Sequence, residues 1–172
     1  MKHESFIEFL ASYLKPDVYV ELGVYDGSTF NKVYPHVRGW AYGVDIKPLM
    51  DDSDKPNCSI TTNTTKEFAV LWSEDIHEDI DLIFIDADHS KEAVLKDAQA
   101  FLHWLKLDTG IMVLHDTWPL NKQQTAPGYS GDCYKVTAEL KNHYGDGIEV
   151  LTIPVSYGLT LIRRVGQDWR NG

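Results

Sequence analysis

Val18-Tyr19-Val20-Glu21-Leu22-Gly23-Val24-Tyr25-Asp26-Gly27-Ser28 is the stretch that decides the fold. Val18 to Leu22 reads as a strand that breaks at Gly23, and Gly27-Ser28-Thr29 opens a short helix with Ser28 as its expected cap. A strand running through a glycine turn into a helix is the first half of a crossover unit. Upstream, Phe6, Ile7, Phe9, Leu10 and Leu14 recur at helical spacing until Pro16 stops them. Downstream, Trp40 to Ile46 forms a second strand, Cys58 to Thr62 a third, and Thr65 to Trp72 a helix. Asp81-Leu82-Ile83-Phe84-Ile85-Asp86 is apolar until its last residue, as a strand covered on both faces must be. Ala93, Val94, Ala98, Phe101, Leu102 and Leu105 then mark a helix of about four turns. Gly110 to Leu114 is a further buried strand, ending in His115-Asp116. A helix from Cys133 to His143 leads to strands at Ile148–Ile153 and Leu159–Arg163.

Strands separated by helices require crossover connections and a mostly parallel sheet. Only Pro154 to Gly158 separates the last two strands, which is too short for a crossover, so they pair as an antiparallel hairpin at one edge. The expectation is a doubly wound α/β fold: a seven-stranded, mostly parallel Rossmann-like sheet in one domain spanning residues 1–172.

Composition narrows the function. Lys and Arg number 16 against 26 Asp and Glu, a formal charge of -10, and a field of that sign disfavours a nucleic-acid grip. No apolar run reaches the length of a membrane helix, and residues 1–5 carry polar and charged groups where a signal peptide would be apolar. Cys58 and Cys133 lie far apart with no CxxC spacing, which fits a reducing compartment and excludes a cysteine-built zinc site. The expected location is cytoplasmic, with neither nucleic acid nor membrane as partner.

In open α/β sheets, ligands sit beyond the carboxyl ends of the strands, where strand order reverses. Four strand ends carry suitable chemistry: Glu21 to Ser28, Asp45, Asp86-Ala87-Asp88-His89, and His115-Asp116-Thr117. Gly23 and Gly27 let a ligand approach the backbone or simply make a tight turn. Asp45 ends the strand after them and either accepts the hydroxyls of a ribose or stands as a plain strand-end acid. The glycines depart from GxGxxG, and Glu21 and Asp26 add negative charge, so a pyrophosphate cradle fits poorly. A ribose-bearing, phosphate-free, cationic cofactor fits better.

The run Glu21-Leu22-Gly23-Val24-Tyr25-Asp26-Gly27-Ser28 resembles the first motif of class I S-adenosylmethionine-dependent methyltransferases, and Gly43-Val44-Asp45 their second. Asp81 through Ser90, with Leu114-His115-Asp116-Thr117, is similar to a subgroup of small O-methyltransferases (methyltransferase domain 24 type). The resemblance implies that S-adenosyl-L-methionine is the cofactor. Gly23, Tyr25, Gly27 and Ser28 would pass its methionine part, with Glu21 shaping the turn. Asp45 would hold the ribose, Ile46 would pack on the adenine, and Asn63 would approach the adenine edge. In metal-dependent relatives, positions matching Asp86 and the pair His115-Asp116 hold a divalent ion, so those three are the implied ligands of Mg²⁺ or Mn²⁺. This chain departs from that pattern in placing His115 at the first position of the pair. The alternative is that Asp86 only anchors the cofactor, Asp116 caps the next loop and His115 is a satisfied strand-end histidine. His89, Asp88 and His115 are the candidate catalytic groups, since an imidazole takes a proton from an attacking hydroxyl near neutral pH.

The expected activity is methyl transfer to a hydroxyl of a small molecule, with a sugar or glycan end as one possibility. An NAD-dependent oxidoreductase and a catalytically inactive cofactor-binding module are the competing readings. Trp118 and Tyr129 either stack on the acceptor or hold their loop down. Tyr157 reads as packing. Acceptor binding is expected to use the Trp118 loop, the N-terminal helix or a second subunit, hence a possible homo-oligomer.

Overall fold

The computed structural model describes residues 2–126 and 128–166. The two ends of the expected 1–172 domain and Pro127, in the loop that follows Trp118, lie outside the described residues. Seven strands form one sheet: β1 (Val18–Leu22), β2 (Trp40–Asp45), β3 (Cys58–Thr62), β4 (Leu82–Ile85), β5 (Ile111–His115), β6 (Ile148–Ile153) and β7 (Leu159–Arg164). Their order is β3-β2-β1-β4-β5-β7-β6. The first five are parallel to one another, while β7 runs antiparallel to both β5 and β6. The expected doubly wound α/β sheet with its C-terminal hairpin is therefore present. Strand order reverses between β1 and β4, which places the ligand-accepting crevice above those two strands.

Every residue of β1 and β4 is buried, because helices cover both faces. Val18, Val20 and Leu22 point toward α3 (Thr65–Leu71), α4 (Lys91–Leu102) and α5 (Val136–Tyr144), packing with Phe68, Phe101 and Leu140. Tyr19, Phe84 and Val113 point the other way, into a second cluster with Ile7 and Ala11 of α1 (His3–Leu14) and Phe30 and Val33 of α2 (Phe30–Val33). The alternation of the strand thus sorts one apolar run into two cores.

Local details differ from the sequence expectations. Ser28 is not the helix cap: α2 starts after Thr29 and spans four residues, and the Ser28 amide is drawn to Asp26 Oδ1 at 2.9 Å. The helix through Ala93 is 12 residues long and ends at Leu102. Leu105 mimicked a fourth turn because it is buried, but its burial comes from a parallel bridge to Ile80. The first helix begins at His3, a turn earlier than the apolar spacing indicated. The hairpin turn at Ser156 and Tyr157 is left-handed at two non-glycine residues, with φ of 49° and 67°.

Candidate functional site

A cavity of about 720 Å³ opens above the carboxyl ends of β1, β2 and β4. It is lined by Glu21, Gly23, Tyr25, Ser28, Asp45, Ile46, Asn63, Asp86, Asp88, His89 and His115, all singled out from sequence, together with His3. Gly27 is the exception. It does not line this cavity but faces inward, where a side chain would meet Asn31 and Met50 at 2.8 Å.

Gly23 shows why the turn needs glycine. Its φ is +91°, and a Cβ there would lie 2.4 Å from the carbonyl oxygen of Asp86. The ends of β1 and β4 are pressed together at that point, which brings the Asp86 segment to the cavity wall. Asp45 shapes the same loop from the other side. Its carboxylate accepts the Tyr25 amide at 2.8 Å and the Lys47 amide at 2.8 Å. Tyr25 sits at φ 46°, so the Asp45 hydrogen bond helps to hold a left-handed residue in place. Beside it, Ile46 is 75% exposed and offers a flat apolar face to the cavity.

Glu21 lies at the cavity floor and is 1% exposed. Burial pushes its carboxyl well above the usual carboxylate range, and the Tyr19 hydroxyl donates to it at 2.5 Å. Burial likewise pushes the Tyr19 phenol well above its ordinary value. No lysine or arginine is among the residues lining the cavity, whereas five carboxyl groups are: Glu21, Asp26, Asp45, Asp86 and Asp88. A ligand carrying positive charge matches that wall.

At the far side, β4 and β5 deliver two histidine–aspartate pairs. His115 Nδ1 lies 2.9 Å from Asp86 Oδ1, and its Nε2 lies 2.8 Å from the carbonyl oxygen of Ser156. Both partners are acceptors, so both ring nitrogens act as N–H donors. Burial would push this imidazole down, but the hydrogen bond and charge of Asp86, the charge of Asp116 and the Ser156 carbonyl raise it from 6.5 to about 9. The second pair is His89 Nδ1 with Asp116 Oδ2, 2.5 Å apart. The bond to Asp116 raises the His89 pKa. Burial raises the Asp116 carboxyl, but His89, His115 and Ser130 outweigh it and hold Asp116 low. Asp116 itself has φ 59°, a left-handed residue at the strand end. Ser130 Oγ donates to its Oδ1 at 3.2 Å and so fixes the carboxylate plane.

Asp88 stands apart from these pairs. Its Oδ1 accepts the Ser90 amide at 2.7 Å, which organises the entry to α4, and that contact holds its carboxyl low. His115 has no lone pair to give a metal or a substrate proton in this arrangement, for the reason given above. Donor atoms of Asp86, His89 and Asp116 all lie within 4.8 Å of one another, and those of His3, Asp86 and His115 do likewise.

A second, smaller cavity of about 220 Å³ lies against the pairs, lined by His89, His115, Asp116, Gly128, Tyr129, Ser130 and Tyr157. His89 and His115 border both cavities. Trp118 lines neither of them. It borders a further cavity of about 640 Å³ with Asn121, Tyr134 and Thr152.

The family model Methyltransf_24, described as a methyltransferase domain, matches residues 20–117, more than half of the chain. The chain belongs to this methyltransferase-domain family. The matched span runs from β1 to the residue after Asp116, so it contains both histidine–aspartate pairs but not His3 or Tyr157. No curated protein matches the sequence. Solved methyltransferases share the fold at low identity. An S-adenosylhomocysteine-bound methyltransferase of Podospora anserina, PaMTH1, is 21% identical with a TM-score of 0.75, covering 94% of this chain and 77% of its own. The O-methyltransferase TomG of Streptomyces achromogenes, involved in tomaymycin synthesis and solved with S-adenosylmethionine, is 13% identical with a TM-score of 0.76, over 95% and 80%. An O-methyltransferase of Bacillus cereus solved with S-adenosylhomocysteine is 14% identical with a TM-score of 0.71, over 94% and 80%.

Sequence reasoning assigned neither His3 nor Tyr157 to a site, yet both line these cavities. His3 occupies the turn before Ile7 on the buried face of α1, and its ring centroid lies 4.2 Å from that of His115. The spacing from Ile7 was a usable signal. Tyr157 carried none, because a Ser-Tyr pair does not announce a left-handed turn.

Proposed function

We propose that this methyltransferase-family chain moves the methyl group of S-adenosyl-L-methionine to a hydroxyl of a small molecule held in the Tyr129–Tyr157 cavity. The observation that carries this reading is the shared wall. His89, oriented by Asp116, borders the large acidic cavity and the small aromatic one at once.

The cofactor supplies an electrophilic methyl group on a positively charged sulfur. Asp45 would accept its ribose hydroxyls, Ile46 would cover the adenine, and Asn63 would meet the adenine edge. Glu21, Gly23, Tyr25, Ser28 and Asp86 form the wall along the methionine part. His89 acts as general base through Nε2, with Nδ1–H donated to Asp116, the geometry that keeps one lone pair aimed at a substrate. It would take the hydroxyl proton as the acceptor oxygen attacks the donated methyl, whose bonding pair would leave with the donor's sulfur. Positioning does most of the remaining work, because a displacement in line needs its reacting atoms held close. Asp88 and His115 act by holding the α4 entry and the Ser156 turn, not as proton carriers.

A second reading has one observation in its favour: Asp86, His89 and Asp116 converge closely enough to hold Mg²⁺ or Mn²⁺. Such an ion would lower the pKa of the hydroxyl. The metal-free pairs are preferred because each carboxylate already meets a histidine. A single soluble domain acting in a reducing cytoplasm, with neither nucleic acid nor membrane as partner, fits the net charge of -10 and the two free thiols. Among the described residues, no helix is long and apolar enough to cross a membrane.

Isothermal titration with S-adenosylmethionine and NAD, followed by a methyl-release assay on a panel of hydroxylated acceptors, tests the reading. Binding of the methyl donor with transfer to oxygen is expected. Binding of NAD alone would replace it with an oxidoreductase, and cofactor binding with no transfer to any acceptor would leave an inactive binding module.

A further inference from the structure

We infer that the Ser156–Tyr157 turn is a strained presenter that sets Tyr157 against the acceptor, and that His115 is the positioning residue that clamps it. The inference rests on the methyl-transfer reading for the word acceptor, and it adds a specificity-determining residue outside the family-matched span.

The turn is built against the preferences of its own sequence. Gly158 N–H donates to the Val155 carbonyl at 2.8 Å, and both residues between them have positive φ. Turns of this hand favour Asn-Gly at their two central positions, because a side chain at φ > 0 meets its own backbone. Serine and tyrosine stand there instead. Strain of this kind persists only where surrounding contacts over-determine it, and such places cluster at functional sites.

The contacts that over-determine it are specific. His115 Nε2–H donates to the Ser156 carbonyl at 2.8 Å, and the Trp118 amide donates to the Tyr157 carbonyl at 2.7 Å. His3 Nδ1 lies 3.4 Å from Ser156 Oγ. Gly158, at φ +98°, is packed so tightly on Trp118 that a Cβ would lie 2.2 Å from the Trp118 nitrogen. The tip of the hairpin is thus fastened to the end of β5 on both of its central carbonyls.

What this fastening delivers is Tyr157, which is 45% exposed and lines the small cavity with His89, Asp116 and Tyr129. A cavity of about 220 Å³ falls below the range of drug-sized sites, which starts near ~300 Å³. Two tyrosines on its wall suit one flat or puckered ring bearing hydroxyl groups, which stacks on an aromatic face while a hydroxyl meets His89. The ligand class assigned to Tyr157 is therefore a single hydroxylated ring. Phenol and methyl glucoside serve as the aromatic and sugar probes.

The experiment uses the full chain loaded with S-adenosylhomocysteine, with probe binding read by saturation-transfer NMR and stability by thermal melting. Ser156→Gly should melt a few degrees higher than wild type, since the strain is gone, yet bind the better probe at least three-fold more weakly. Tyr157→Ala should lose at least five-fold in probe affinity, while Tyr157→Phe keeps it within two-fold. Both Ser156→Gly and Tyr157→Ala should bind S-adenosylhomocysteine within two-fold of wild type, because neither residue borders the large cavity. In His115→Gln, the Trp118 amide should exchange with solvent at least ten-fold faster. A Ser156→Gly protein that melts lower, or one that melts higher with unchanged probe binding, would overturn the presenter. So would wild-type protein that binds S-adenosylhomocysteine but neither probe. Failure of wild type to bind the cofactor product would instead overturn the methyl-transfer reading.

Discussion

Raising the pH from 6 to 10.5 should remove a defined part of the folding free energy, and His115 should account for it. This imidazole has an ordinary value of 6.5 and a folded-state value of about 9. A raised value means the protonated form is favoured by folding, so the stabilisation is complete below pH 6.5 and disappears as pH climbs through about 9. At about 1.36 kcal/mol per pH unit, that rise gives about 3 kcal/mol below pH 6.5, somewhat less at pH 7 and almost nothing at pH 10. Solvent screening takes little from this, because the side chain is 8% exposed and its Asp86 partner 21%. The assay is urea unfolding followed by circular dichroism at half-unit pH steps, on wild type and His115→Gln. Subtracting the two curves cancels the groups that titrate in both proteins, and the difference should fall by roughly 2 to 3 kcal/mol between pH 7 and pH 10. A difference curve that stays flat across that range would refute the charged, doubly bonded imidazole.

Activity should follow the other pair. Rate should rise with pH through a midpoint above 6.5, because His89 must lose its proton to act and Asp116 raises its pKa. Asp116→Asn should move that midpoint down as well as slow transfer, and His89→Ala should lose about 10²- to 10⁴-fold in kcat, read from a pH–rate profile. Gly23→Ala should abolish cofactor binding in calorimetry, since its Cβ would collide with the Asp86 carbonyl and with Ala87. A chelator settles the second reading: full turnover in EDTA is expected, whereas loss restored by Mn²⁺ or Mg²⁺ would assign Asp86, His89 and Asp116 to an ion.

The sheet was legible because strand burial writes itself into composition. Leu82 to Ile85 is apolar on both faces and was readable as a central strand without further help. The same logic located the cavity, since polar residues appear where apolar strands end. It misread Leu105, whose burial is real but whose backbone is extended. At Gly27 the sequence left a ligand approach and a tight turn both open, and φ of +76° with Asn31 and Met50 close by accounts for the glycine through the turn. Roles at His115 depended on partners distant in sequence: Ser156 is 41 residues away and contributes a carbonyl, a group that every residue owns. Which histidine keeps a free lone pair is a property of those contacts, and residue identity alone does not encode it.

The reversal of strand order has a mechanical consequence. β2 and β3 lie on one side of the seam, β5, β7 and β6 on the other, and among the described residues the pairing of β1 with β4 is the one ladder joining the two wings. The large cavity straddles that seam, with Asp45 and Asn63 on one wing and Asp86 and His115 on the other. A nucleoside bound there would act as a rivet across the join, and would raise the stability of the folded protein by RT ln(1 + [L]/Kd). Product departure would then loosen the same seam that the next donor must fasten.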